Sequence, residues 1–122
     1  MAVWSELRNR TYIAGADLTE KQFHFVKRSG ANVVAGTAGD AAVGVLWNDP
    51  DDTQAASVVY FGSPTVKAGG TIDAGAAVAV GTGGVAVAAT EGDVIVGYAR
   101  EAAVINQFIR IDLDLGGNEQ PA

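Results

Sequence analysis

The sequence repeats itself at an offset of 53 residues. Shifting the chain by 53 aligns nine identical residues over the 25 positions from 30 to 54, without a gap. The shared residues include Gly39-Asp40 with Gly92-Asp93 and Val43-Gly44 with Val96-Gly97. This pattern predicts two copies of one structural unit, at about residues 17–64 and 70–115.

Short apolar runs in both copies favour β-strands. The runs are rich in Val, Ile and aromatic residues and are bounded by Gly, Asp, Asn or Ser. In the last run Ile109 and Ile111 alternate with Arg110 and Asp112, which is the period of a half-buried strand. The runs are 22–27, 41–47, 57–61, 77–80, 85–89, 94–98 and 108–113. We therefore expect an all-β fold, a small barrel or sandwich of about eight short strands, with a single helical turn around 100–105.

The N-terminal residues look different from this body. Aromatic, apolar and basic side chains are scattered over residues 1–16 without a helical or strand period. We predict an extended N-terminal arm at 1–16, a β domain at 17–115 and a flexible C-terminal tail at 116–122. An arm that cannot bury its own side chains is a candidate for ordering on a partner. The candidate contact residues are Trp4, Leu7, Arg8, Arg10 and Tyr12.

Charge and composition exclude several classes of function. The chain has 8 Lys and Arg against 14 Asp and Glu, a net charge of −6. An acidic protein repels phosphate backbones and anionic lipids, so we expect neither nucleic acid nor a membrane surface as a partner. No apolar run approaches the roughly 20 residues that span a bilayer, and the start of the chain does not read as a secretory signal. Because the sequence contains no Cys, it has no disulfide, thiolate nucleophile or cysteine metal site.

The residue types used in catalysis do not form a recognisable set. His24 is the single histidine; in a strand it would point away from Phe23 and Phe25, without partners for base catalysis or metal binding. The acidic run Asp49-Pro50-Asp51-Asp52 lacks the spacing of a helix–loop–helix calcium site, so a solvated loop is favoured. We expect no catalytic residue, cofactor or metal. The segment around Lys67 is faintly similar to lipoyl and biotinyl carrier domains, so a carrier-like or small-ligand-binding β module stays open as an alternative.

Several segments together resemble a known family. Residues 16–27, ADLTEKQFHFVK, are similar to the opening of the small decoration (cement, head-stabilising) proteins of tailed bacteriophages. The similarity continues through 39–48, 75–78, 85–89, 92–93 and 96–102 and covers about residues 16–113. The acidic run at 49–52 and the arm at 1–15 depart from the family pattern.

The resemblance implies a non-enzymatic protein that binds the outer surface of a phage capsid and stiffens the shell. It implies the major capsid protein as partner, a homo-oligomer with a trimer favoured, and a place on the outside of the virion. Such a protein is made in the bacterial cytoplasm, where disulfides are not favoured, and this agrees with the absence of Cys. Its acidic character is harmless at a site remote from packaged DNA.

Overall fold

Residues 7–120 form an all-β fold of ten short strands. The computed structural model describes residues 7–120, and it contains one 3₁₀ turn, Thr82–Gly84. The strands are β1 Arg8–Ala14, β2 Phe25–Ser29, β3 Asn32–Ala35, β4 Gly44–Leu46, β5 Ala55–Phe61, β6 Thr65–Lys67, β7 Ala77–Val80, β8 Ala86–Ala88, β9 Gly97–Ala99 and β10 Phe108–Leu113. Within the described residues, no helix is long and apolar enough to cross a membrane.

The first five strands close into a barrel. Their order is β1-β3-β2-β4-β5, and β5 pairs with β1 to complete the ring. The β1–β3 contact is parallel, with Ala14 opposite Val33, whereas the other neighbours are antiparallel. Closure leaves the unit without a free edge. Its interior is filled by a cluster of buried side chains: Ala14, Leu18, Val26, Val33, Leu46, Ala56 and Val58.

The last five strands repeat this arrangement. They form a sheet in the order β6-β10-β9-β7-β8, and a parallel bridge between Ala68 and Ala86 joins its two ends. Gly69 N donates to Ala86 O at 2.7 Å, as Gly15 N donates to Val33 O at 2.7 Å in the first unit. Adding five to each strand number of the first unit therefore gives the strand neighbours of the second.

The strand registers confirm the 53-residue repeat. Leu46 pairs with Val58, and the residues 53 positions later, Ala99 and Ile111, pair in the same way.

Both copies also contain a turn that ends in a left-handed residue and a glutamine. Thr53 and Asn106 have φ of 70° and 71°, and the next side chains, Gln54 and Gln107, accept from Asp51 N and Val104 N at 2.9 and 3.0 Å. A side chain that holds the turn explains why the glutamine is shared.

Three strands, β1, β3 and β6, lie outside the predicted runs, and for residues 8–14 the predicted arm is wrong. They form β1, which pairs with β5 from Ile13 opposite Ala55 to Arg8 opposite Phe61. Residues 8–11 are exposed, so the segment carries no apolar alternation. It is held by its backbone ladder instead.

Two further expectations are corrected. Residues 116–120, predicted as part of a flexible tail, pair with the segment before β9, where Ile95 N donates to Asn118 O at 2.7 Å and Gln120 N to Asp93 O at 2.8 Å. Residues 121–122 lie outside the described part. The helical turn expected at 100–105 is absent. Ala103 and Ile72 exchange two backbone hydrogen bonds of 2.9 Å, which hold the chain extended at this point.

The two units share one core. Phe25 and Val45 of the first unit belong to the same buried cluster as Val66, Val78 and Ile111 of the second. Backbone bonds also cross between the units, since Gly39 N donates to Val80 O at 2.9 Å and Val94 N to Gly39 O at 3.0 Å. The repeats therefore form one packed body.

The shared Gly44 and Gly97 allow a close approach between strands. A Cβ at Gly44 would lie 2.1 Å from Val59 O, and one at Gly97 would lie 2.5 Å from Asp112 O. We expect Gly44→Ala and Gly97→Ala each to lower the free energy of unfolding by about 1–3 kcal/mol, because the backbone must move to fit the methyl group. Chemical denaturation measures this. Gly70→Ala is the control, since a Cβ there meets nothing within 4 Å; equal stabilities for the three variants would contradict the prediction.

Candidate functional site

Two exposed arginines of β1 stack on aromatic rings of the neighbouring strand β5. Arg8 Cζ is 5.6 Å from the ring centre of Phe61, and Arg10 Cζ is 4.5 Å from that of Tyr60. Cation–π contacts of this kind hold the guanidinium groups in place at the surface. We call these four residues the arginine edge.

The structure separates the five residues predicted as partner contacts. Arg8 and Arg10 lie together on the arginine edge and are exposed. Tyr12 is half-buried and packs against the core cluster of the first unit, so it supports the fold. Leu7 is half-buried and directly precedes β1, whereas Trp4 lies outside the described residues.

A second surface is built from three aromatic rings at the junction of the two units. Phe23 lies in the middle, with its ring centre 5.1 Å from Trp47 and 5.7 Å from Phe108, both at interplanar angles near 80°. These are edge-to-face contacts, which favour a defined arrangement of rings. Phe108 is 56 % exposed, and Gln22 Nε2 donates to Trp47 O at 3.0 Å. We call Trp47, Phe23 and Phe108 the aromatic row.

The middle residue of the aromatic row has an unusual backbone. Phe23 has φ of 66°, a left-handed conformation that is strained for a bulky side chain. Its counterpart in the second unit is Gly75, with φ of 83°, because Phe23 N donates to Leu46 O and Gly75 N to the equivalent Ala99 O. The fold needs a positive φ at this position, and the first unit places a phenylalanine there instead of a glycine.

Opposite charges flank the aromatic row. Two residues beyond Trp47 the chain enters the acidic loop, residues 49–52, whose three carboxylate side chains are exposed. The loop is ordered, since Leu18 N donates to Pro50 O at 3.0 Å and Asp52 N to Asp51 Oδ1 at 2.7 Å. Lys67 lies directly across from Phe108 in the β6–β10 ladder, on the same sheet face, and next to Phe23, whose backbone O accepts from Lys67 N.

His24 directly follows Phe23 of the aromatic row, and the expectation that it lies within a strand is wrong. β2 begins one residue later, and the bend before it buries the imidazole to 7 % exposure. Nδ1 is 3.0 Å from Gln22 O. Burial holds the pKa of His24 below its ordinary value, and the nearby positive charges of Lys21 and Lys67 lower this pKa further.

We searched the part of the chain that the structure describes for a metal site, a ligand pocket and a carrier lysine. No group of three or more His, Asp or Glu residues between 7 and 120 is placed to hold a metal ion. An open groove of about 240 Å³ lies between residues 71–73 and 102–104 and is lined mainly by apolar groups. Lys67 lies within β6, its backbone N donating to Phe23 O at 3.0 Å, and not at the hairpin tip where carrier domains present their lysine.

The fold and these surfaces define the class of the protein: a duplicated all-β body whose surface carries half-buried and exposed aromatic rings beside exposed charged groups, with Trp47 packed against the shared core. No protein-family model matches the chain, and no curated protein matches it. Among solved structures, it is similar to the head fiber gp8.5 N base of bacteriophage phi29, with a TM-score of 0.75 and 19 % identity. The match covers 94 % of this chain and 100 % of that chain. This likeness shows a shared fold.

Sequence reasoning did not single out the aromatic row. Its three members lie in different segments of the chain and come together through the β2–β4 and β6–β10 pairings and the bond from Lys67 N to Phe23 O between the two units. The sequence signal that could have indicated these residues is that the two copies of the repeat differ at their positions. The counterparts of Trp47 and Phe108 in the repeat are Arg100 and Ala55, so the aromatic residues are not part of the repeated pattern.

The buried imidazole predicts a pH dependence of stability. Because the pKa of His24 is lowered in the folded state, the unfolded chain takes up a proton first as the pH falls below 6.5. We expect the free energy of unfolding to decrease with falling pH, by at most about 1.4 kcal/mol per pH unit. Denaturation series between pH 8 and 5 measure this, and His24→Gln should flatten the slope.

Asp17, whose pKa is also shifted, does not affect the denaturation series between pH 8 and 5. Hydrogen bonds from Thr19 lower the pKa of Asp17 below its ordinary 3.8, so this carboxylate changes charge only in more acidic solution. A wild-type slope retained in full by His24→Gln would show that the imidazole is not its source.

Proposed function

We propose that the protein is a non-enzymatic decoration protein of a tailed-phage head. In this role it binds the outer surface of the shell formed by the major capsid protein, as a homo-oligomer, with a trimer favoured, and stabilises the head. The observation that carries the proposal is the shared fold with a phage head fiber base over 94 % of the chain. The family resemblance of residues 16–113 points to the same class of protein without using the structure.

The arginine edge is the proposed shell-binding surface. Arg8 and Arg10 are exposed and are already ordered by Phe61 and Tyr60, so binding would immobilise few additional side-chain rotamers. Leu7 and Trp4 precede this edge in the chain and would extend the contact. Arginine is one of the residue types enriched among those that dominate binding energy at interfaces.

The role as a head protein is tested on particles. The chain should copurify with heads of the phage that encodes it, and imaging of those heads should show its density on the outer face of the shell. Heads that lack the chain should lose their contents at a lower temperature than heads that carry it. The proposal would be contradicted if the chain were not found in the purified heads, or if heads with and without the chain were equally stable.

The shell-binding surface is tested by substitutions that keep β1. Deleting residues 1–16 would remove a barrel strand, so the informative variants are a deletion of residues 1–6 and the double substitution Arg8→Ala and Arg10→Ala. We expect the double variant to bind shells at least about tenfold more weakly, equivalent to about 1.4 kcal/mol. Sedimentation of the protein with preformed shells measures binding.

The control for this experiment is Arg28→Ala, which removes an exposed arginine from β2. It should bind as the wild type does. Full shell binding by both the deletion and the double variant would assign the contact to another surface.

A further inference from the structure

We propose that three basic side chains at the junction of the two units form a binding site for a compact oxyanion, that is, a carboxylate or phosphate group. The site consists of Lys21 and His24, in the bend before β2, and Lys67, at the end of β6. We call these three residues the basic cluster. It shares no residue with the arginine edge and binds its ligand in the free protein, so it goes beyond the proposed function.

The first two residues of the basic cluster lie against a glycine turn of the second unit. A Cβ at Gly83 would lie 3.2 Å from Lys21 Nζ, and one at Gly84 would lie 3.3 Å from His24 Cβ. Within the bend, His24 N donates to Lys21 O at 3.0 Å. Because the turn has no side chains at these two positions, the lysine and the histidine can both approach its backbone closely.

The third residue of the basic cluster is joined to the same bend by its backbone. Lys67 N donates to Phe23 O, the carbonyl that precedes His24, at 3.0 Å. Burial is the main cause of the low pKa of His24, and the charges of Lys21 and Lys67 lower this pKa further. Both ammonium groups therefore lie within electrostatic range of the imidazole, and three groups that can carry positive charge converge on one place.

The two ammonium groups of the cluster lack a counter-ion. Within residues 7–120, neither Lys21 Nζ nor Lys67 Nζ forms an ion pair or a hydrogen bond, and both side chains are half-buried. A partly desolvated charge without a partner is unfavourable. An oxyanion from outside the chain would supply the missing negative charge.

The imidazole offers its second nitrogen to such a ligand. Nδ1 of His24 is 3.0 Å from Gln22 O, a carbonyl that can only accept, so Nδ1 carries the proton of the neutral ring. No group of residues 7–120 is bonded to Nε2, and no fully buried side-chain nitrogen in that range lacks a partner, so Nε2 reaches the surface. It can therefore take up a proton and donate it to a bound oxyanion.

The bend itself does not require these basic groups. The second unit contains the equivalent bend, in which Ala76 N donates to Asp73 O at 3.1 Å. Asp73 and Ala76 therefore stand in the places of Lys21 and His24. Since the same backbone forms with an acidic residue and an alanine, the lysine charge and the imidazole are not explained by the fold.

A compact oxyanion fits this site better than a polyanion does. The bend is joined to the acidic loop, since Lys21 N donates to Leu18 O and Leu18 N to Pro50 O, both at 3.0 Å. The three exposed carboxylates of that loop repel an extended row of negative charges, such as a nucleic acid backbone. A single carboxylate or phosphate group, on a free ion or on an acidic side chain of a partner protein, needs to approach only the cluster.

The test uses the imidazole of the full chain as a reporter. His24 is the single histidine, so its NMR signals are unique. Sulfate is the probe, because its charge stays constant over the pH range of the denaturation series, and sodium chloride of equal ionic strength is the reference. We expect sulfate to raise the pKa of His24, since a bound anion stabilises the charged ring. Sulfate affinity should therefore increase as the pH falls, and His24→Gln should abolish this pH dependence.

Substitutions identify the groups that bind the anion. Lys21→Ala and Lys67→Ala should each weaken sulfate binding about tenfold, because each removes a charge-assisted hydrogen bond. In chloride, the same two variants should raise the pKa of His24, since a repelling charge is lost. Lys27→Ala is the matched control: its amino group donates to Thr37 Oγ1, and the variant should bind sulfate as the wild type does.

The inference would be overturned if the pKa of His24 were the same in sulfate and in chloride. Equal losses of sulfate binding in Lys27→Ala and in the two cluster variants would overturn it as well, because the effect would then be one of net charge. No shell is present in this experiment, so its failure would leave the proposed function standing.

Sedimentation with preformed shells then distinguishes the two sources of the oxyanion. If the group is an acidic side chain of the shell, the double variant Lys21→Ala and Lys67→Ala should bind shells more weakly, and sulfate should compete with the shells. If the group belongs to a free ion, shell binding should be unchanged. Each result assigns the source of the anion at a site that the NMR titration has established.

Discussion

Each half of the molecule depends on one parallel contact between its first and third strands. In the first unit it joins Ala14 and Gly15 to Val33, and in the second it joins Ala68 and Gly69 to Ala86. Without this contact the remaining neighbours form an open sheet with two free edges. The approach is close enough that a Cβ at Gly69 would lie 2.3 Å from Val85 Cγ2. Small residues at this position are therefore a condition of closure.

This requirement explains much of the composition. The sequence contains 22 Ala and 16 Gly, which provide little apolar area for each ordered residue. Strands of three or four residues bring backbones together at many points, and small side chains allow those approaches. The larger apolar groups, such as Phe25, Ile72 and Ile111, are concentrated in the core that the two units share. The repeated units thus stabilise one another through that common interior.

The duplication and the all-β fold could be predicted from the sequence because they depend on repeated, local signals, whereas the choice between a barrel and a sandwich stayed open. Gly-Asp turns and alternating apolar residues appear twice, at a constant offset. Three strands were not predicted: β1, which exposed polar residues dominate, and the short strands β3 and β6, of four and three residues. The pairing of residues 118–120 with 93–95 was also invisible, because that contact consists of backbone hydrogen bonds, which do not depend on side-chain type.

The surfaces were harder to predict for a related physical reason. A strand pattern reports which face is buried, but it does not report which exposed side chains from distant segments become neighbours. Arg10 and Tyr60 are 50 positions apart and meet only because β1 pairs with β5. Once the strand register is known, however, each position of one unit can be compared with the equivalent position of the other unit.

Some equivalent positions carry the same residue in both units, such as Gly44 and Gly97 or Gln54 and Gln107. The structural role of each residue explains why it is shared. Positions where the copies diverge, such as Phe23 and Gly75, are not explained by it. In a chain built from two copies of one unit, such divergence at the surface is therefore the physical criterion for locating function.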